Sequence, residues 1–152
     1  MTKDEARNRC MKLCSTKEYA PGDIENKLQQ WGIDDVVTGE IIEYLRNEKF
    51  LDEFRYARYF TNDKIRFNKW GKYKVSLMLK QKGIAETAIR EALGQFSDDE
   101  YHTILENELK KKRKSIKDTD DYIIRGKLTQ FAVGKGFEPA LANEVISRVV
   151  GK

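Results

Sequence analysis

The sequence has few residues of the kinds that break helices, form strands or build catalytic centres. It contains two prolines, ten glycines and one histidine among 152 residues. Alternating runs of valine, isoleucine and threonine, which indicate β-strands, are missing. No run approaches the roughly 18 apolar residues of a membrane-spanning helix, and no apolar signal stretch begins the chain. We therefore predict an all-α protein without a membrane segment, located in the cytoplasm.

Residues with catalytic or metal-binding chemistry are also sparse. Cys10 and Cys14 lie four residues apart on one predicted helix and have no matching Cys/His cluster, so we interpret them as half-buried packing residues. His102 is isolated on a polar helix, and the acidic clusters fall at predicted helix starts, where they offset the helix dipole. No glycine-rich phosphate loop is present. We expect no catalytic residues, no metal and no cofactor, and a protein that is not an enzyme.

Charge is abundant and unevenly distributed. Charged residues make up 36% of the chain and hydrophobic residues 39%, which favours thin, exposed helical modules. Residues 1–51 carry 8 basic and 10 acidic side chains, residues 52–97 carry 10 and 5, and residues 98–152 carry 11 and 10. The positive surplus therefore belongs to the middle third of the chain.

One motif occurs three times along the chain. It consists of an apolar helix, a glycine followed by Ile or Phe, and a second helix that closes on an apolar pair. The glycines are Gly32, Gly83 and Gly136, spaced 51 and 53 residues apart, and the pair always follows nine and ten residues later. A helix commonly ends in the left-handed conformation, which glycine adopts without steric cost. Each glycine therefore predicts a helix end.

Each copy has room for one more helix upstream, which makes three tandem three-helix repeats that resemble helix-turn-helix units. The predicted repeats are 1–51, 52–97 and 98–152. The predicted helices are 4–13, 21–30, 34–47, 52–67, 71–82, 85–93, 98–114, 120–135 and 139–149. Thr2-x-x-Glu5 and Ser97-x-x-Glu100 resemble capping boxes, and Pro21 suits the first position of a helix. Small units in series predict an elongated, curved molecule.

The middle repeat carries a basic stripe. Between residues 55 and 82 there are nine basic side chains and one acidic one, Asp63. On a helix, one face carries Arg55, Arg58, Asn62, Arg66 and Lys69, and the opposite, buried face carries Tyr56, Ala57, Phe60 and Phe67. The candidate partner-binding or DNA-binding residues are Arg55, Arg58, Arg66, Lys69, Lys72, Lys74, Lys80 and Lys82. Such a face is either merely solvated or binds a polyanion or an acidic protein, and the imbalance favours binding.

A second basic run ends the first predicted helix of the third repeat. Residues 110–114 read KKKRK. Positive charge is favoured near a helix C-terminus in any case. The run is therefore compatible with a solvated helix end and with a contact to phosphates or an acidic partner.

The segments KFLDEFRYARYF and NKWGKYKVSLMLKQKGI closely resemble the signature of the RecX family, bacterial regulators of the RecA recombinase. YAPGDIENKLQQWGI and KLTQFAVGKGFEPALANEVI are similar to that family's first and third repeats. The family's acidic-arginine-aromatic stretch falls on residues 51–57, and its tryptophan-glycine turn on Trp70 and Gly71. Two positions depart from the family pattern: Lys72 replaces a frequent proline, and Thr38 replaces an apolar residue.

The resemblance implies three tandem three-helix repeats. It also implies a modulator that lies in the groove of the RecA filament on DNA, inhibits RecA ATPase, recombinase and coprotease activity, and binds DNA weakly and without sequence specificity. Homologous recombination, DNA repair and the SOS response are the corresponding processes. We expect a monomer. The alternative is a helix-turn-helix-type DNA-binding protein that acts on naked DNA.

Overall fold

Residues 1–151, the part of the chain that the computed structural model describes, form nine α-helices and one π-helical turn and contain no strand. The helices are α1 (Lys3–Cys14), α2 (Pro21–Gln30), α3 (Asp35–Asn47), α4 (Glu53–Asn62), α5 (Lys72–Gln81), α6 (Glu86–Leu93), α7 (Asp98–Ser115), α8 (Asp121–Gly134) and α9 (Pro139–Val150). The π-helical turn, Asp63–Phe67, directly follows α4. The all-α prediction is confirmed.

The predicted helix starts have the expected hydrogen bonds. The Thr2 hydroxyl accepts the N–H of Glu5 at 3.1 Å, and the Ser97 hydroxyl accepts the N–H of Glu100 at 3.1 Å. Pro21 is the first residue of α2, where its missing N–H leaves no helical hydrogen bond unmade. Short-range sequence signals therefore set these three helix starts.

The three turn glycines end their helices in the same way. Gly32, Gly83 and Gly136 have φ angles of 78°, 81° and 98°, in the left-handed region. The residue that follows each glycine donates its N–H to the carbonyl five residues back; Ile33, for example, bonds to Leu28 at 3.0 Å. This is the Schellman arrangement, which satisfies carbonyls left free at a helix end. The predicted helix ends are confirmed.

The chain forms two compact units. Unit 1 comprises Met1–Tyr59 and Leu79–Glu91. In it, α3 packs against α1 and α2. Its core consists of Ala6, Cys10, Tyr19, Ile24, Leu28, Ile41, Ile42, Leu45 and Leu51. The apolar pair of the first motif, Ile41 and Ile42, thus lies where the motif predicts it.

Unit 2 comprises Phe60–Met78 and the described residues from Ala92 onward. In it, α7, α8 and α9 pack on one another. Their buried apolar residues are Tyr101, Leu105, Leu109, Ile124, Leu128, Ala132, Ala142, Val145 and Ile146. The rings of Tyr101 and Phe137 lie 5.4 Å apart, which brings the Gly136 turn onto the first helix of this group.

One prediction about the middle helix is wrong. Phe67 is 74% exposed, whereas the pattern placed it on the buried face with Phe60. The cause is the π-helical turn, in which the Asn68 N–H bonds to the carbonyl of Asp63, five residues back. A π-turn inserts an extra residue into the helical register. The inward position therefore goes to Ile65, which is fully buried.

Thr38 is buried in α3, where the family pattern has an apolar residue. Its hydroxyl oxygen has no hydrogen-bond partner among the described residues. A buried hydroxyl without a partner is less favourable than a methyl group of similar size. The departure from the family pattern is therefore a local packing weakness in the first repeat.

Candidate partner-binding surface

In unit 1, two arginines of the basic stripe lie in ion pairs. Arg55 pairs with Glu18 at 2.5 Å, and Arg58 pairs with Glu91 at 2.6 Å. The side chains of Arg58 and Glu91 are 44% and 48% exposed. Pairs exposed to this extent contribute little to stability and are screened by salt. An external anion can therefore compete for these arginines.

In unit 2, Arg66 has several partners. Its guanidinium donates to both carboxylate oxygens of Glu100, at 3.0 and 3.1 Å, and to the side-chain oxygen of Asn62. It also lies 4.5 Å from the centre of the Phe96 ring. The hydrogen bond with Glu100 raises the pKa of Arg66, and the same bond lowers the pKa of Glu100. Arg66 is therefore held in place by the protein itself.

Lys80 and Lys82, at the end of α5 and just after it, also have acidic partners. Lys82 bonds to Asp23 at 2.8 Å, and Lys80 lies 3.7 Å from Glu86. Burial alone would lower the pKa of Lys82, but its hydrogen bond with Asp23 leaves that pKa raised. Five of the eight candidate residues are thus paired with carboxylates inside the protein.

The remaining three candidates, Lys69, Lys72 and Lys74, have no ion pair among the described residues. We call them the Trp70 lysines because they surround that residue in the chain. The ammonium group of Lys74 lies 4.1 Å from the centre of the Trp70 ring, and that of Lys72 lies 4.6 Å from the Tyr101 ring. The ammonium group of Lys69 donates to the backbone carbonyl of Arg66. The backbone of Lys69 has a φ angle of 59°, in the left-handed region. No carboxylate of residues 1–151 neutralises the charge of these lysines.

The turn that carries the Trp70 lysines is fixed by close backbone packing. The Gly71 N–H donates to the Lys135 carbonyl at 2.8 Å, and the Tyr73 N–H donates to the Gly136 carbonyl at 3.0 Å. A Cβ atom on Gly71 would lie 2.2 Å from the backbone of Gly136. Only glycine allows two chain segments to approach this closely. The first turn of α5 is therefore held against the turn that follows α8.

Lys72 has a second structural role, which explains why proline is absent here. Its N–H donates to the hydroxyl of Tyr101 at 2.8 Å, and that hydroxyl donates to the carboxylate of Glu138 at 2.8 Å. Burial raises the pKa of Tyr101 well above its ordinary value, so the hydroxyl keeps its proton. Proline has no N–H and could not begin this chain of hydrogen bonds.

Exposed apolar side chains lie next to the Trp70 lysines, and the sequence interpretation missed them. Phe67 is 74% exposed, Tyr73 69% and Leu77 47%. Tyr73 and Leu77 are four residues apart on α5 and so share one face. The signal was available, because both fall outside the inward-facing positions Val75 and Leu79. The surface therefore combines positive charge with aromatic groups.

The cysteines behave as the sequence predicts, since Cys10 is buried and Cys14 half-buried. Burial raises the pKa of each thiol from an ordinary 9.0 to about 11. The raised pKa leaves about 100-fold less thiolate near pH 8. We expect slow labelling of both residues by iodoacetamide in the native protein at pH 8 and rapid labelling in 8 M urea. Labelling in the native protein as fast as in urea would contradict this assignment.

Metal-binding geometry is absent from the described part of the chain, where no group of three or more His, Cys, Asp or Glu residues could hold an ion. Within residues 1–151, no helix combines the length and the apolar character needed to cross a bilayer.

Models of the second and third three-helix domains of RecX match residues 52–93 and 98–146, which together exceed half of the chain. The chain belongs to the RecX family. The regulatory protein RecX of Clostridium acetobutylicum is 28% identical over 148 residues, covering 95% of this chain and 68% of the relative. RecX of Chlorobium phaeobacteroides is 28% identical over 139 residues, covering 91% of this chain and 89% of the relative.

Length varies among RecX proteins. The chain spans 60% of the RecX protein of Clostridium beijerinckii, to which it is 28% identical over 130 residues. The crystal structure of RecX from Lactobacillus salivarius matches with a TM-score of 0.81 at 20% identity, covering 97% of this chain and 96% of the other. A second crystal structure of a regulatory protein RecX has a TM-score of 0.81 at 22% identity, covering 99% and 72%. The predicted RecX fold of tandem three-helix repeats is confirmed.

Proposed function

We propose that this protein regulates RecA by binding the RecA–DNA filament and inhibiting its ATPase, recombinase and coprotease activities. One observation carries the proposal beyond family membership. The Trp70 lysines keep three positive charges without a carboxylate partner in the described structure, on a turn whose backbone is rigidly packed. A fixed array of unneutralised cations favours a polyanionic partner.

Three arginines of the basic stripe, which we call the arginine stripe, support the same partner in a secondary role. Arg55, Arg58 and Arg66 are each about two-fifths exposed, despite their ion pairs. An incoming phosphate or carboxylate can replace the glutamate partners of Arg55 and Arg58 with little net loss, whereas Arg66 is held by Asn62 and Phe96 as well. In this proposal the Trp70 lysines make the first contacts and the arginines exchange partners afterwards.

The proposal describes a regulator without a reaction of its own, which acts in the cytoplasm as a monomer during homologous recombination, DNA repair and the SOS response. Its relatives carry the name regulatory protein. The repeats 1–51, 52–97 and 98–152 would then bind neighbouring sites on a repeating filament. Several weak contacts to one lattice add as avidity.

A helix-turn-helix protein acting on naked DNA is the alternative function. In such proteins the first turn of the recognition helix contacts base edges next to the phosphates. The third helix of each three-helix group begins with acid here: Asp34 and Asp35 at α3, Glu86 at α6, and Glu138 before α9. Carboxylates at these positions would repel phosphates, so we favour the filament.

DNA-dependent RecA ATPase activity tests the proposal directly. We expect the protein to lower steady-state ATP hydrolysis and strand exchange at concentrations comparable with that of RecA, and to lower them less as salt is raised. Hydrolysis is followed with a coupled assay on single-stranded DNA. Unchanged rates at saturating protein would refute filament regulation, and tight sequence-specific binding to duplex DNA without RecA would support the alternative.

A further inference from the structure

A basic groove lies between the end of α7 and the middle of α8, within unit 2. Its volume is about 590 Å³, which is in the range of ligand-binding clefts. Its lining includes Lys112, Ile116, Lys117, Lys127, Gln130 and Phe131. We call it the α7–α8 groove. The family resemblance assigns no role to these residues.

The groove carries more positive charge than its carboxylates neutralise. Lys127 bonds to Asp118 at 2.5 Å. Lys112 and Lys117 have no ion pair in the described part of the chain, and neither have Arg113 and Lys114 beside them. Upstream in the same run, Lys110 and Lys111 do pair with glutamates on α7. Within residues 110–117, the cations without an ion pair in the described structure are therefore those at and next to the groove.

The helix dipole does not account for this arrangement. Positive side chains in the last turn of α7 are stabilised by the negative helix end, and this covers Lys112, Arg113 and Lys114. It does not cover Lys117, which follows the helix; the groove's other lysine, Lys127 in α8, has Asp118 as its partner. Three separate segments thus bring lysines to one groove, and this convergence indicates a polyanionic ligand.

The floor of the groove distinguishes between polyanions. Phe131 is half-buried in it, with the ammonium groups of Lys112 and Lys135 each 5.5 Å from the ring centre. Ile116 is a second apolar element of the lining. A peptide whose side chains are all carboxylates would use only the cations. A nucleic acid strand offers phosphates to the lysines and sugars or bases to the apolar floor.

We propose that the α7–α8 groove binds the phosphate backbone of a single nucleic acid strand, with Lys112 and Lys117 as its principal phosphate contacts. The proposal rests on the filament function only in that DNA is one component of the filament. Binding to the groove requires no RecA. It can therefore be measured separately from RecA inhibition.

The test measures fluorescence anisotropy of a labelled oligothymidylate of about 15 nucleotides, without RecA, from low to moderate salt. If the three lysines that line the groove, Lys112, Lys117 and Lys127, neutralise three phosphates, the slope of log affinity against log salt should be about −2. The double variant Lys112→Gln, Lys117→Gln should reduce that slope to about −0.7 and weaken binding at least tenfold at low salt. The Gln130 side-chain amide should shift in NMR spectra of the wild type on addition of the oligonucleotide.

The matched control is Lys12→Gln with Lys17→Gln, which removes the same charge near the end of α1 in unit 1. It should keep the wild-type slope. Equal losses in both variants would overturn the proposal, because only net charge would then matter. A wild-type slope in the groove variant would also overturn it, as would a Gln130 shift with polyglutamate but not with the oligonucleotide. Loss of oligonucleotide binding with RecA inhibition intact would support the groove proposal and leave the filament function standing.

Discussion

Replacing Gly71 with alanine should strongly destabilise unit 2. The new Cβ would lie 2.2 Å from the carbonyl carbon of Gly136, and the contacted atoms are backbone, which cannot rotate away. The segments must separate, so the hydrogen bonds from Gly71 to Lys135 and from Tyr73 to Gly136 would weaken or break. Overpacking and two lost hydrogen bonds together give a loss of about 3 to 5 kcal/mol in the free energy of unfolding. Urea denaturation followed by circular dichroism measures it.

Gly126→Ala is the matched control for this change. Gly126 lies inside α8, and nothing lies within 4 Å of a Cβ atom built on it. Alanine is favoured over glycine in a helix interior, so this variant should gain about 0.5 to 1 kcal/mol. A lower free energy of unfolding for Gly71→Ala and a higher one for Gly126→Ala would show that close backbone packing, and not backbone entropy, causes the loss at Gly71. A mild effect at Gly71 would show that the junction with the Gly136 turn is looser than described.

The helices were predictable from sequence because their determinants are local. A glycine at a helix end, a serine or threonine three residues before glutamate, and an apolar pair at fixed distance each act within about ten residues. The π-helical turn at 63–67 was not predictable, since nothing in DKIRF departs from an ordinary helical pattern. Its effect on Phe67 shows how one extra residue moves a side chain from the core to the surface.

The candidate site was only half predictable, for a different reason. The sequence shows where the cations are, but their partners are distant in the chain: Glu18 is 37 residues from Arg55, and Glu100 is 34 from Arg66. Such pairings depend on how helices pack, which composition does not reveal. Counting basic and acidic residues along the sequence therefore overestimates how much positive charge of the arginine stripe lacks an acidic partner. Of the Trp70 lysines, Lys72 and Lys74 lie against aromatic rings and Lys69 donates to a backbone carbonyl, so none of the three contacts a carboxylate of the described residues.

These ion pairs change what charge reversal of the arginines should do. From sequence alone, changing Arg55, Arg58 and Arg66 to glutamate is expected to abolish partner binding without affecting stability. In the structure each new glutamate would face an existing one. Like charges at that distance repel, so melting temperature should fall as well. Reversal of the arginines is therefore a poor test of binding, and neutralisation of unpaired lysines is a better one.

The triple variant Lys69→Gln, Lys72→Gln, Lys74→Gln should lose most of its effect on RecA. The variant removes three charges that have no carboxylate partner in the described structure, so no anion inside the protein is left exposed. We expect the concentration that halves RecA ATPase activity to rise about 10- to 100-fold, because each lost contact contributes a few-fold in affinity. The melting temperature should stay close to that of the wild type, since the Lys72 N–H and the Trp70 ring remain.

The chain offers a closely matched control for this variant in Lys12→Gln, Lys17→Gln, Lys49→Gln. Lys49 has a left-handed φ angle of 66°, comparable with 59° at Lys69. Lys17 lies 4.8 Å from the Tyr19 ring, as Lys72 lies 4.6 Å from Tyr101. The control removes the same charge from similar environments, so it should inhibit RecA as the wild type does. Equal loss in both triples would mean that net charge alone drives binding, and undiminished inhibition by the Trp70 variant would move the contact to the arginine stripe.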